Sequence, residues 1–89
     1  MKTVNMKMKE MTSKDAIHDV LQRDLELPLY YGRNLDALYD CLTMTEEEVI
    51  FRLDFSDASF DELPTYTKKS VFCIIDACMR NRALRMELV

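Results

Sequence analysis

Hydrophobic and polar positions alternate near both ends of this chain and follow a helical period between them. At the start, TVNMKM sets Val4, Met6 and Met8 against polar neighbours, the two-residue period of a short strand. Ile17, Val20, Leu21 and Leu25 then recur at helical spacing and predict a helix running to about Glu26. Thr12 followed by Asp15 resembles a capping box at its start, with Asp in place of Glu or Gln. Pro28 biases Leu27 away from helical backbone and closes this helix. Asn34 is a good N-cap for a second helix from Leu35 to about Thr43. Gly32, the only glycine, lies just before it, where a positive φ is expected.

EVIFRLDF, Glu48 to Phe55, is rich in β-branched and aromatic residues and predicts a second strand. A short helical turn fits SDASFDEL. Pro64, with Thr65 or Thr67, opens the longest helix, which runs to about Asn81 with Val71, Ile74, Ile75 and Cys78 facing inward. Leu84, Met86 and Leu88 alternate with Arg85 and Glu87 as a third strand. Helical segments separate each strand from the next, so parallel pairing with right-handed crossovers follows. The expected fold is α/β: a small three-stranded parallel sheet covered by about four helices, in a single domain over residues 1–89.

Composition narrows the class. The chain of 89 residues is 48% hydrophobic, enough for one small globular core and unlike a disordered chain. One glycine and two prolines are too few turn formers for an all-β sandwich or barrel. No secretory signal and no run approaching a membrane span is visible. Three cysteines and one histidine, without ligand-like spacing, argue against a zinc site or a disulfide scaffold. Reduced thiols in a cytoplasmic protein, with no metal and no cofactor, are the expectation.

Charge is unevenly spread. Residues 1–23 carry five basic and three acidic side chains, and residues 65–89 five basic and two acidic. The middle segment, 24–64, carries two basic against eleven acidic. Such a field repels nucleic acid and attracts a basic partner.

The second helix concentrates that charge on one side. At about 100° per residue, Asp36, Tyr39, Asp40 and Thr43 share an arc about 100° wide, opposite Ala37, Leu38, Cys41 and Leu42. Like charges four residues apart on a helix cost roughly 0.2–0.5 kcal/mol, and Asp36 is excused by the helix dipole whereas Asp40 is not. Two acids flanking a tyrosine, with Tyr30 and Tyr31 just upstream, make a binding patch. Catalysis is not expected: exposed acids on one helical face lack the differing environments that split their pKa values. His18, a lone helical histidine, is expected at the surface, and Cys41 projects toward the core, so the two form no nucleophilic dyad.

The stretch LPLYYGRNLDALYDCLT, Leu27 to Thr43, resembles the signature of the barstar family, intracellular inhibitors of the secreted bacterial ribonuclease barnase. Leu27, Pro28, Tyr30, Tyr31, Gly32, Asn34, Leu35, Asp36, Ala37, Leu38, Asp40, Cys41, Leu42 and Thr43 all match without a gap, and the order of elements follows that fold. The resemblance implies that the second helix and the loop before it plug a ribonuclease active site. Asp40 is then the central anchor, in place of the scissile phosphate, and Asp36 pairs with basic groups at the rim. Tyr30 covers the catalytic histidine, and Gly32, Asn34, Leu35, Tyr39, Thr43 and Met44 complete the contact. The implied partner is a small basic ribonuclease bound 1:1 by a monomeric inhibitor, with no direct contact to nucleic acid or membrane.

Departures from the family pattern concern that partner. Tyr39 replaces a tryptophan, and Met44–Thr45 replaces Gly–Trp. In a gapless reading of the last helix, Ala77 and Asn81 occupy the places of interface glutamates. Asp76 compensates in part, while Arg80 and Arg82 reverse the local sign. These changes point to a nuclease other than barnase. They also leave an alternative, a barstar-like interaction module for a different basic partner such as a non-ribonuclease toxin or a regulatory protein.

Overall fold

Three strands build the sheet in the computed structural model, which describes every residue from Met1 to Val89. They are β1 (Lys2–Lys7), β2 (Val49–Asp54) and β3 (Leu84–Leu88), in spatial order β1-β2-β3 and all parallel. Val4 lies beside Phe51, and Phe51 beside Met86. Alternation gives the sheet two unlike faces: Val4, Met6, Val49, Phe51, Leu53 and Leu84 are buried, while Thr3, Asn5, Arg52, Arg85 and Glu87 are exposed. Parallel sheets are usually covered on both faces. This one is covered on one, and its open face is polar, with the register partners Arg52 and Glu87 paired at 3.3 Å.

The covering layer is α1 (Lys14–Asp24), α2 (Leu35–Met44) and α3 (Thr65–Arg80). There are three α-helices where about four were expected. The segment after β2 makes only a single 3-10 turn, Phe60–Glu62. Its serines and aspartates compete for the backbone, as when Asp54 accepts from the Ser56 N–H at 2.9 Å, and it is too short to nucleate a helix. A second 3-10 turn, Met8–Glu10, ends β1 early, so Met8 is buried but outside the strand.

The cap of α1 is Ser13, not Thr12. Ser13 is extended, with φ −147°, and its hydroxyl accepts from the Ala16 N–H at 3.1 Å, which leaves Thr12 exposed outside the helix. The inward face of α3 is Thr67, Ser70, Val71, Ile74 and Ala77; Ile75 and Cys78 are only half-buried. The Thr67 hydroxyl donates to the Met11 carbonyl at 2.6 Å, a polar tie inside the core.

His18 is fully buried, contrary to the surface position expected of it. Its Nδ1 lies 2.8 Å from the Tyr31 hydroxyl and its Nε2 2.7 Å from that of Tyr66. A neutral imidazole donates through one nitrogen and accepts through the other, which both hydroxyls satisfy. Burial holds the ring's pKa below its ordinary value, reinforced by Arg33 and Lys14.

Candidate functional site: an acidic ridge on the second helix

Between α1 and α2 the chain crosses ten residues, 25–34, with no regular structure, yet it is pinned at many points. The Gln22 amide donates to the Pro28 carbonyl at 3.1 Å, and the Tyr31 N–H donates to the same carbonyl at 2.9 Å. Arg33, at φ 53°, reaches back to α1, where it donates to Gln22 Oε1 at 2.8 Å and to Asp19 at 2.7 Å and lies 3.6 Å from the Asp15 carboxylate. The paired tyrosines part company here. Tyr31 turns in to His18 and is 6% exposed, while Tyr30 stands out at 88%, next to a fully projecting Leu29.

Gly32 does not adopt a positive φ; that conformation falls to Glu26 and Arg33 instead. What requires glycine is close approach. A Cβ at this position would meet Ala37 Cβ and Asn34 Nδ2, each at 3.3 Å, so the first turn of α2 and its cap would have to give by a few tenths of an ångström. Asn34 begins the helix as expected: its Oδ1 accepts from the Ala37 N–H at 2.8 Å, a cap worth about 1 kcal/mol.

On α2, Leu38 and Leu42 are buried and anchor the helix to the core. Asp36, Asp40 and Met44, spaced by four, are exposed in one ridge. Neither aspartate makes an ion pair or a side-chain hydrogen bond within the chain. Their field is nevertheless felt inside. Burial first, then Asp40, raises the Cys41 thiol; burial first, then Asp76 and Asp36, pushes Cys73 up to about 11. These are inert thiols.

Tyr39 and Thr43, placed by periodicity on the same exposed arc, are half-buried at its margin, as is Leu35. Thr43 donates to the Tyr39 carbonyl at 2.8 Å. Tyr39 leans toward α3, where burial raises its phenol pKa and Arg80 and Asp76 act on it in opposite senses. Asp76 is exposed but paired with Arg80 at 3.5 Å, so it adds less free negative charge than either ridge acid. Ala77 is fully buried, and the Asn81 amide donates to the carbonyls of Leu42 at 2.8 Å and Thr45 at 2.9 Å, closing the C-terminal end of α2. Three or more His, Cys, Asp or Glu side chains nowhere gather to hold a metal ion, and no helix is long and apolar enough to cross a membrane.

The molecule is thus a one-sided α/β layer whose second helix carries two exposed acids with no counter-charge from the chain. The family model described as Barstar (barnase inhibitor) matches residues 1–89. The chain belongs to the barstar family. It is also similar to a Bacillus subtilis (strain 168) protein named "Putative ribonuclease inhibitor YrdF", at 62% identity over 29 residues. That match spans 33% of this chain and about a third (32%) of the relative's length. The family's description is that of an inhibitor and not of an enzyme.

Proposed function

We propose that this barstar-family protein inhibits a small basic ribonuclease of the barnase type, in a 1:1 complex, by docking α2 and the loop before it into the active site. The observation that carries the reading is the bare acid pair: Asp36 and Asp40 are exposed, rigidly mounted and free of any internal cation. A nuclease keeps arginine, lysine or histidine preorganised for the negative charge of its transition state. A carboxylate fixed on a helix accepts paired hydrogen bonds from such groups. Asp40 is the central anchor, Asp36 contacts the rim, Tyr30 covers the catalytic histidine, and Met44 extends the contact. Gly32 and Asn34 shape the approach of the loop, and Leu35, Tyr39, Thr43 and Asp76 border it. The free thiols of Cys41, Cys73 and Cys78 suit a cytoplasmic site of action.

A second reading is a barstar-type module for a basic partner that is not a ribonuclease. It is favoured by the end of α3, where Arg80 holds Asp76 and Arg82 adds another exposed cation. Capture from the lysate and medium of the source separates the two. Immobilised wild type is expected to retain a small basic protein with ribonuclease activity, in a salt-sensitive manner. Asp40→Ala is expected to lose it. Retention of a basic protein without ribonuclease activity supports the second reading, and equal capture by both forms removes Asp40 from the contact.

A further inference from the structure

β3 is an edge strand, with β2 on one side and no strand on the other. The Val89 N–H donates to the Leu53 carbonyl at 2.9 Å and the Phe55 N–H to the Val89 carbonyl at 3.0 Å, so the odd-numbered residues of β3 address β2. Alternation turns the N–H and C=O groups of Met86 and Leu88, and the Leu84 carbonyl, to the open edge. The Leu84 N–H is already taken by the Asn81 carbonyl at 3.1 Å. An unpaired edge of this kind is a template for another strand.

The strand LRMEL is self-complementary about Met86. Laid antiparallel against a second copy, with the two-fold axis at Met86, Arg85 of each chain stands opposite Glu87 of the other. The Met86 pair exchanges both N–H···O=C bonds, and each Leu88 N–H meets the other copy's Leu84 carbonyl. Arg85 and Glu87 then fall at the non-hydrogen-bonded positions, where Cα atoms approach to about 4.5 Å and side chains are closest. Arg85 has no ion pair within its own chain, and Glu87 is held toward Arg52 at 3.3 Å, ready to bridge two arginines. The helix-side face of the same edge is apolar and uncovered. Leu88 is 69%, Phe72 58% and Val89 57% exposed. They rim a groove of about 500 Å³ lined only by hydrophobic side chains, Phe55, Phe60 and Ile75 among them.

We propose that the protein forms a two-fold homodimer through antiparallel pairing of β3 with β3 of a second copy, centred on Met86 and locked by reciprocal Arg85–Glu87 pairs. On α3 the groove is lined by Val71, Phe72 and Ile75, whereas Cys73, whose Sγ lies 3.7 Å from the Leu35 carbonyl, is on the other side of the helix, so the groove and the acidic ridge flank α3 on different sides. The dimer leaves both ridges free and does not depend on what they bind.

Light scattering or sedimentation over a wide concentration range tests it. Wild type is expected to pass from 10.5 kDa to twice that mass. Arg85→Glu and Glu87→Arg, each confirmed folded by circular dichroism, are each expected to dimerise roughly tenfold or more weakly, because both cross-strand pairs become like charges. An equimolar mixture of the two variants restores opposite charges at every pair and is expected to dimerise as wild type does. A wild type that stays at monomer mass overturns the proposal, as does undiminished dimerisation of either variant alone. Failure of the mixture to associate overturns the Met86-centred register.

Discussion

Two helices of this molecule carry aspartates four residues apart, and they treat them in opposite ways. On α1, Asp15 and Asp19 share one guanidinium: Arg33 lies 3.6 Å from the first and 2.7 Å from the second. On α2, Asp36 and Asp40 have no cation from their own chain. The first pair is spent on fixing the loop that leads into α2. The second, on the reading proposed above, is left for a partner outside. Spacing alone therefore does not separate the two pairs; the missing counter-charge does.

The largest effect expected from breaking this contrast is on Asp40. Asp40→Ala should weaken ribonuclease binding by about 2–5 kcal/mol, the range for truncating one member of a buried charge pair and one calibrated partly on barnase–barstar itself. Asp19→Ala, removing an acid of the same spacing from α1, should leave affinity within a few-fold. Inhibition titrations with both variants read the difference directly, and equal losses would erase the distinction between the pairs.

The next effect is on the frame under the loop. His18→Ala leaves the Tyr31 and Tyr66 hydroxyls without their partner and opens a cavity, at a cost of roughly 2–4 kcal/mol in urea unfolding. In the intact protein the folded-state pKa of His18 lies below its ordinary 6.5, so the unfolded chain binds the extra proton first. Its contribution is complete above about pH 6.5 and is lost as pH falls from there through the lowered folded value. The variant should lack this component of acid sensitivity, seen as a flatter dependence of unfolding midpoint on pH below 6.5.

Arg33→Ala converts the α1 acids into a second bare pair. Were binding a matter of net negative charge, affinity for a basic nuclease would rise. Because Arg33 positions the loop that presents Tyr30, affinity is expected to fall several-fold, with faster amide exchange at Tyr31. The smallest effect comes from giving α2 a cation of its own. Met44→Lys, four residues after Asp40, should stabilise the free protein by about 0.2–0.5 kcal/mol while weakening nuclease binding. A stabilised variant that binds as well as before would show that the bare charge on α2 is not used.

Much of α2 was legible from sequence because its determinants are local. Asn34 as cap, Leu38 and Leu42 as the buried line, and the two acids opposite follow from spacing within ten residues. The parallel direction of the strands followed from the helical segments that separate them. What stayed hidden depended on distant contacts. His18 shares a helical face with Leu21 and Leu25, but the tyrosines that close on its two nitrogens come from 13 and 48 residues away, which α1 alone cannot show. Gly32 was assigned a positive φ because glycine has two uses, and choosing between them requires knowing where Ala37 comes to lie. The gapless reading of the last helix noted Ala77 and Asn81 only as departures from family glutamates, and could not say that the roll of α3 places one inside and turns the other to the end of α2. Ser13 displaced Thr12 as cap by one residue, a choice of hydroxyl that local spacing does not separate.

The pinned loop has a bearing on how such a protein diversifies. Tyr31 is welded to the interior while its neighbour Tyr30 is wholly outside, and Asp36, Asp40 and Met44 bear none of the weight of the core. Scaffold and recognition are thus written on adjacent but separate letters. Exchange of the outer set would leave the packing of the inner one untouched, so the exposed face can vary without re-solving the folding problem.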